Sequence, residues 1–282
     1  MVCRRYSFFA ILFLFVGLSV MYAEDPVSEI IIRPQTEEEE FVRIKQTLSV
    51  LPWFKKNGFQ VCLPTHKSFE ALYPEAEKYF GTTYNSSFQP VDPHFPNEEY
   101  FQKLFSSEIY DPSAYAKGLA RVFSGKEIFE KALRKLVVLN KNWGFKLMPK
   151  YQILLTLWGT GGSYDSANGH IIIKTTTSGN FYIDPLSTCI HEMVHIGIEE
   201  NLVRKFRLTH WEKEYVVDSI CAIYLKELVP GYKYQKDLWR EAHPDKLDSE
   251  VEIPLPTACI NEETIVHTLP EVISHYVKEH PR

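Results

Sequence analysis

The chain has 282 residues, 45% of them hydrophobic and 14% aromatic, enough apolar material for one large core or two modest ones and too much for a disordered segment. Thirty-one basic against thirty-six acidic side chains leave a formal charge of −5. No basic stripe interleaved with aromatics runs along the chain, which argues against nucleic acid as a partner.

The first 23 residues, "MVCRRYSFFAILFLFVGLSVMYA", place Arg4 and Arg5 ahead of an apolar run from Phe8 to Val20, with Ala23 before the polar "EDP". This is the layout of a secretory signal peptide, so the protein is expected to be secreted, periplasmic or otherwise extracytoplasmic, and membrane-bound only if the segment stays uncleaved. Later stretches are too short or too polar to span a bilayer. In an exported chain, Cys62, Cys189, Cys221 and Cys259 permit two disulfides or buried free thiols, and Asn85-Ser86-Ser87 matches a glycosylation acceptor. From residue 24 to about 123 the chain mixes short helical patterns with proline-rich connections, an N-terminal region without a nameable motif. Its charge run Glu37 to Glu40 is expected to open a helix, where negative charge suits the dipole.

Beyond residue 123 the pattern sharpens. Ile128, Phe129, Ala132, Leu133, Leu136 and Val137 recur at helical spacing, predicting a helix over about 125–141 capped by Ser124. "YQILLTLWG" and "HIIIKTTT" predict two strands. The glycine-rich "GTGGSYDSANG" between them lacks the Lys-Ser or Lys-Thr ending of a phosphate loop and reads as a connection. Asp184 and Pro185 then start a helix as N-cap and first helical residue. Thr209 and Glu212 form a capping box for another, expected to reach about Leu228 before Pro230. The segment "NEETIVHTLPEVISHYVKEH" predicts a last helix, bent or broken at Pro270.

Within the helix that Asp184 starts lies His191-Glu192-Met193-Val194-His195. Residues four apart differ by roughly 40° around a helix axis, so both imidazoles project from one face and can reach one metal ion. Zinc in catalytic sites takes three protein ligands and leaves a position for water, and Glu192, beside the first histidine, can serve that water as a base. A third histidine six residues on is excluded, because that position is Asn201. Glu214 on the next capped helix is the candidate third ligand, with His210 as its competitor. Asp218, one turn further, can orient His191 through its other ring nitrogen if the two helices pack antiparallel.

The string "HEMVH", eighteen residues and "EYVVD" resembles the gluzincin zinc metallopeptidases, the thermolysin-like clan, over about residues 125–228. The resemblance implies an α+β, zincin-like core with a backing helix, a small mixed sheet, an active-site helix and a glutamate helix, compact as in minigluzincins. It implies one catalytic Zn2+ held by His191, His195 and Glu214, Glu192 as general base and acid, and Asp218 supporting His191. A peptide or protein substrate would pair beside a sheet edge, for which "HIIIKTTT" is the candidate, and a further donor would steady the oxyanion; Tyr224, Tyr232, His267, His275 and Tyr276 all stand downstream. Where thermolysin-like enzymes usually carry asparagine and serine, this chain has Lys213 and Val217. The Gly-x-Met-Glu-Asn stretch of the related aminopeptidases is missing, which favours an endopeptidase. The expected layout is a signal peptide (1–23), an N-terminal region (24–123) acting as a pro-segment or substrate-binding part, and a metallopeptidase domain (124–282). Two rivals remain: a secreted protein that uses zinc only to hold its helices, and a latent protease whose residues 24 to about 120 cover the cleft.

Overall fold

The computed structural model describes residues 28–56, 59–74, 97–242 and 260–281. The expected signal peptide, Asn85 and Cys259 lie outside them. The described residues form a mixed α+β protein around one four-stranded sheet of order β1-β2-β4-β3. Its strands are β1 (Glu29–Pro34), β2 (Lys150–Thr156), β3 (Gly162–Asp165) and β4 (His170–Lys174). The helices are α1 (Glu37–Ser49), α2 (Leu51–Lys56), α3 (Lys67–Glu70), α4 (Glu98–Leu104), α5 (Ala116–Phe123), α6 (Lys126–Trp143), α7 (Pro185–Ile198), α8 (His210–Ser219), α9 (Gln235–Ala242) and α10 (Leu269–Glu279).

β2 sits inside the sheet, parallel to β1 on one side and to β4 on the other. Tyr151, Ile153, Leu154 and Leu155 are accordingly all buried, the near-continuous apolar run of a strand covered on both faces. Ile153 pairs with Ile171 and Leu155 with Ile173. β3 lies antiparallel to β4 at the sheet's end. Two expectations are corrected here. The glycine-rich connection contains a strand, and His170–Lys174 of "HIIIKTTT" is interior; the sheet ends in β1 on one side and in β3, Gly162–Asp165, on the other. The four residues of β3 include only one large side chain, Tyr164, too weak a β signal to stand out, and pairing rather than propensity makes it a strand.

α6 packs on α7 and shares the main apolar core with the strands. Phe129, Ala132, Leu133, Leu136 and Leu139 form its buried stripe, and full burial of each large member contributes about 1.5–3 kcal/mol. Gly125 rather than Ser124 occupies the N-cap position, while the Ser124 hydroxyl turns back to the Arg121 carbonyl. Where α7 crosses Phe145, a Cβ on Gly197 would fall 1.9 Å from the ring, so only glycine lets the two approach. α8 ends at Ser219 and runs on as a π-helical turn over Ile220–Tyr224, short of the expected Leu228. At the C-terminus, a π turn over Thr264–Thr268 meets α10 with Pro270 in its first turn, where a missing N–H costs nothing.

The N-terminal region is tied to this core. β1 supplies Ile30 and Ile32 to it, while Phe41, Ile44, Leu48, Phe69, Phe101 and Phe105 make a second apolar cluster. Thr36 and Glu39 form a capping box for α1, so the acidic run does open a helix. Its last member turns inward: the fully buried Glu40 accepts hydrogen bonds from the Thr156 hydroxyl (2.6 Å), the Leu157 amide (3.1 Å) and the Tyr115 hydroxyl. That carboxylate fastens α1 to the end of β2. Among the described residues no helix is long and apolar enough to cross a membrane, and Cys62, Cys189 and Cys221 are free thiols.

Candidate metal centre

Local sequence places the first two donors. Asp184 caps α7 by accepting from the Ser187 amide at 2.9 Å, and Pro185 takes the first helical position. The uninterrupted helix then stacks His191 and His195 one turn apart, 4% and 2% exposed. The capping box of Thr209 and Glu212, with the Thr209 amide donating to Glu212 Oε2 at 2.7 Å, starts α8 so that Glu214 faces the pair.

Three atoms converge. His191 Nε2 and His195 Nε2 are 2.9 Å apart, His195 Nε2 lies 3.1 Å from Glu214 Oε2, and His191 Nε2 lies 3.3 Å from the same oxygen. Tetrahedral ligands bonded at roughly 2.0–2.1 Å stand about 3.3 Å from one another, so the trio has nearly the spacing a small divalent cation requires. Two neutral imidazoles cannot both present lone pairs to each other at this distance; a proton or a cation must lie between them. His191, His195 and Glu214 therefore form a buried group that can hold a metal ion. His210 stands outside it. Its side chain is 64% exposed and its Nδ1 is 3.6 Å from the other Glu214 oxygen, Oε1, so the competition for third ligand goes to Glu214.

Burial and mutual charge shift every ionisable group of the cluster in the metal-free protein. Burial pushes Glu192 up to about 7, opposed by His191 and Lys213. Burial alone would lower both histidines. It prevails at His195, held down at about 3, whereas hydrogen bonds to Cys221 and Glu214, with the charges of Glu192 and Glu214, carry His191 well above the usual histidine range. Burial works against the Glu214 carboxylate, but the two imidazoles outweigh it and hold Glu214 well below its ordinary value.

Asp218 does not reach His191 directly. Its Oδ1 is 3.7 Å from His191 Nδ1, and the Tyr232 hydroxyl fills the gap, 2.5 Å from the nitrogen and donating to Asp218 at 2.6 Å. The Gln235 amide donates to Oδ2 at 2.8 Å. Burial still raises Asp218 to about 6. Expected direct support is thus a relay, His191 to Tyr232 to Asp218. Of the five oxyanion candidates only Tyr232 is at the site, and its hydroxyl is engaged in this relay. Tyr224 bonds the Lys135 carbonyl, His267 lies by Asn142, His275 pairs with Glu279, and Tyr276 stacks on His280.

Four side chains at the site carried no signal in spacing. Tyr164 of β3 stacks on His195, Glu199 accepts from its hydroxyl at 2.9 Å, Lys213 Nζ lies 3.3 Å from Glu214 Oε1, and Cys221 contacts His191. They come from β3, the turn after α7, α8 and the turn after α8. The edge strand also closes on Glu192: a Cβ on Gly162 would meet Glu192 Oε1 at 2.5 Å. Beside His191 opens a cavity of about 460 Å3, walled by Tyr182, Ile183, Thr188, Pro230, Tyr232 and Leu238. Comparison of the chain with protein-family models, curated proteins and solved structures finds no match.

Proposed function

We propose that the protein is an exported zinc-dependent endopeptidase of gluzincin type, with His191, His195 and Glu214 as metal ligands and Glu192 as general base. The observation that carries this reading is the convergence of two imidazole nitrogens and one carboxylate oxygen within 3.3 Å, with a second acidic side chain, Glu192, buried beside them. A site that only braces structure needs no base and closes with a fourth protein ligand; among the described residues the group offers three. Helix α6 packed on α7, the mixed sheet and α8 support a zincin-like arrangement. β1 lies in the same sheet, so at least this part of the N-terminal region serves the fold.

Two nitrogens and one oxygen suit zinc, which when bound polarises a carbonyl and lowers the pKa of water toward about 7. The chain's own residues supply the rest. An extended peptide lies along the outer edge of β3, where backbone groups hydrogen-bond it with little regard to sequence, and the cavity beside His191 takes one of its side chains. Glu192 accepts the proton of the attacking water. As the C–N bond breaks it passes that proton to the leaving amine, a shuttle that its place next to the ligand His191 allows. Tyr232 and Asp218 keep His191 Nδ1 protonated and its Nε2 free for the metal.

Glu192→Gln tests the assignment. The purified variant should retain one zinc per chain and lose nearly all cleavage of an unstructured peptide library. Retained cleavage, or wild-type protein without metal, would sink the proposal.

A further inference from the structure

The two histidines are held in different ways. His191 has the Tyr232–Asp218 relay on its Nδ1. Among the described residues, nothing hydrogen-bonds the buried Nδ1 of His195. Metal-binding histidines normally have that second nitrogen hydrogen-bonded, because the bond fixes the ring's rotation and tautomer. Lys213, next to the ligand Glu214, cannot do it, since an ammonium has no acceptor.

What His195 has instead is a flat surface. The Tyr164 ring lies parallel to it, with centroids 4.8 Å apart and planes 7° apart, while the His191 ring meets it edge-on at 4.5 Å and 82°. Tyr164 is itself tied at three points. Its backbone is in the β3–β4 ladder opposite Ile171, its hydroxyl donates to Glu199 Oε2 at 2.9 Å, and Lys213 Nζ lies 3.5 Å from that hydroxyl and 5.4 Å from the ring centre. Glu199 is in turn anchored by Arg204 through its other oxygen at 3.3 Å. The same Lys213 ammonium sits 3.3 Å from Glu214 Oε1, leaving Oε2 to face the imidazoles.

Resting on the metal reading above, we propose that Tyr164 is a positioning residue: its ring face, clamped by Glu199 and Lys213, takes the place of the hydrogen bond that His195 lacks. The edge strand then does two things at once. It presents a backbone edge to the cleft and sets the rotation of one ligand, so displacing the strand would loosen metal binding on the His195 side alone.

Cobalt(II) titration of the metal-free full chain, followed by visible absorption and chelator competition, tests this without a peptide substrate. Tyr164→Phe keeps the ring and its place in the ladder but releases the hydroxyl from Glu199 and Lys213, and should bind more weakly than wild type and more tightly than Tyr164→Leu. Tyr164→Leu removes the ring and should bind about 10-fold or more weakly, the scale of losing an outer partner of a metal ligand. Wild-type affinity in Tyr164→Leu would overturn the proposal. A second readout needs no variant: in the zinc-loaded, 15N-labelled wild type, the His191 Nδ1–H resonance should lie downfield as a hydrogen-bonded proton and that of His195 clearly upfield. Two equally downfield resonances would overturn it. Wild-type protein that takes up neither cobalt nor zinc would remove the metal reading itself, an outcome distinct from the failure of Tyr164.

Discussion

Glu192 sits 7% exposed among other charges, and burial raises its carboxyl from 4.5 to about 7 in the metal-free protein. In the unfolded chain the same group titrates near its ordinary value. Between those two values the folded state holds a proton that the unfolded state has released, so stability falls as pH rises from about 4.5 to 7 and stays reduced above. A difference of about 2.5 pK units at roughly 1.4 kcal/mol each makes the penalty on the order of 3 kcal/mol at pH 8. Glutamine has the same shape and no charge, so Glu192→Gln should be more stable than wild type by that order at pH 8 and nearly equal to it at pH 4.5. Urea unfolding of both proteins in excess chelator, at several pH values, measures the difference while the remaining titrating groups largely cancel. A stability difference independent of pH would refute the argument, because it would mean that the Glu192 carboxylate is ionised without cost where the structure buries it. Gained stability beside lost cleavage is the signature expected of a group kept for chemistry.

Tyr232→Phe should raise the zinc dissociation constant by about 10-fold, because it breaks the relay from His191 to Asp218 and leaves a gap of 3.7 Å that the carboxylate can only partly close. Chelator competition reads it, and an unchanged constant would show that the relay does not orient His191. Gly162→Ala puts a methyl 2.5 Å from Glu192 Oε1 and 2.9 Å from Thr188 Cγ2, so the carboxylate must move. The expected result is full zinc content with kcat lower by about 100-fold, the cost of displacing a catalytic group by roughly 1 Å. Steady-state cleavage with metal analysis checks it, and unchanged kcat would mean that the edge strand does not set the position of Glu192.

Much of the centre was legible because it is written in helical periodicity. Asp184, Pro185 and the four-residue histidine spacing act within one helix, and Thr209 with Glu212 starts the next, so caps and periodicity predicted where His191, Glu192, His195 and Glu214 would stand. These are short-range interactions, and their geometry follows from the backbone alone. The choice between Glu214 and His210 was different in kind. Both residues lie on α8, four apart, and only the packing of α8 against α7 turned one inward and left the other at the surface.

Tertiary structure also decided everything that depends on which strand lies beside which. β1 enters the sheet from more than a hundred residues away and makes β2 interior, and β4 becomes interior because a weak four-residue strand covers its edge. Pairing order of this kind has no periodic trace in sequence, since a buried strand reads the same whichever neighbours bury it. The same holds for Tyr164 against His195, for Tyr232 standing where Asp218 alone was expected, and for Glu40 bonded to Thr156. By itself the sequence determined the helices and the donors they carry. Only the folded chain, by bringing distant strands and turns against those helices, decided which donors converge and what holds each of them in place.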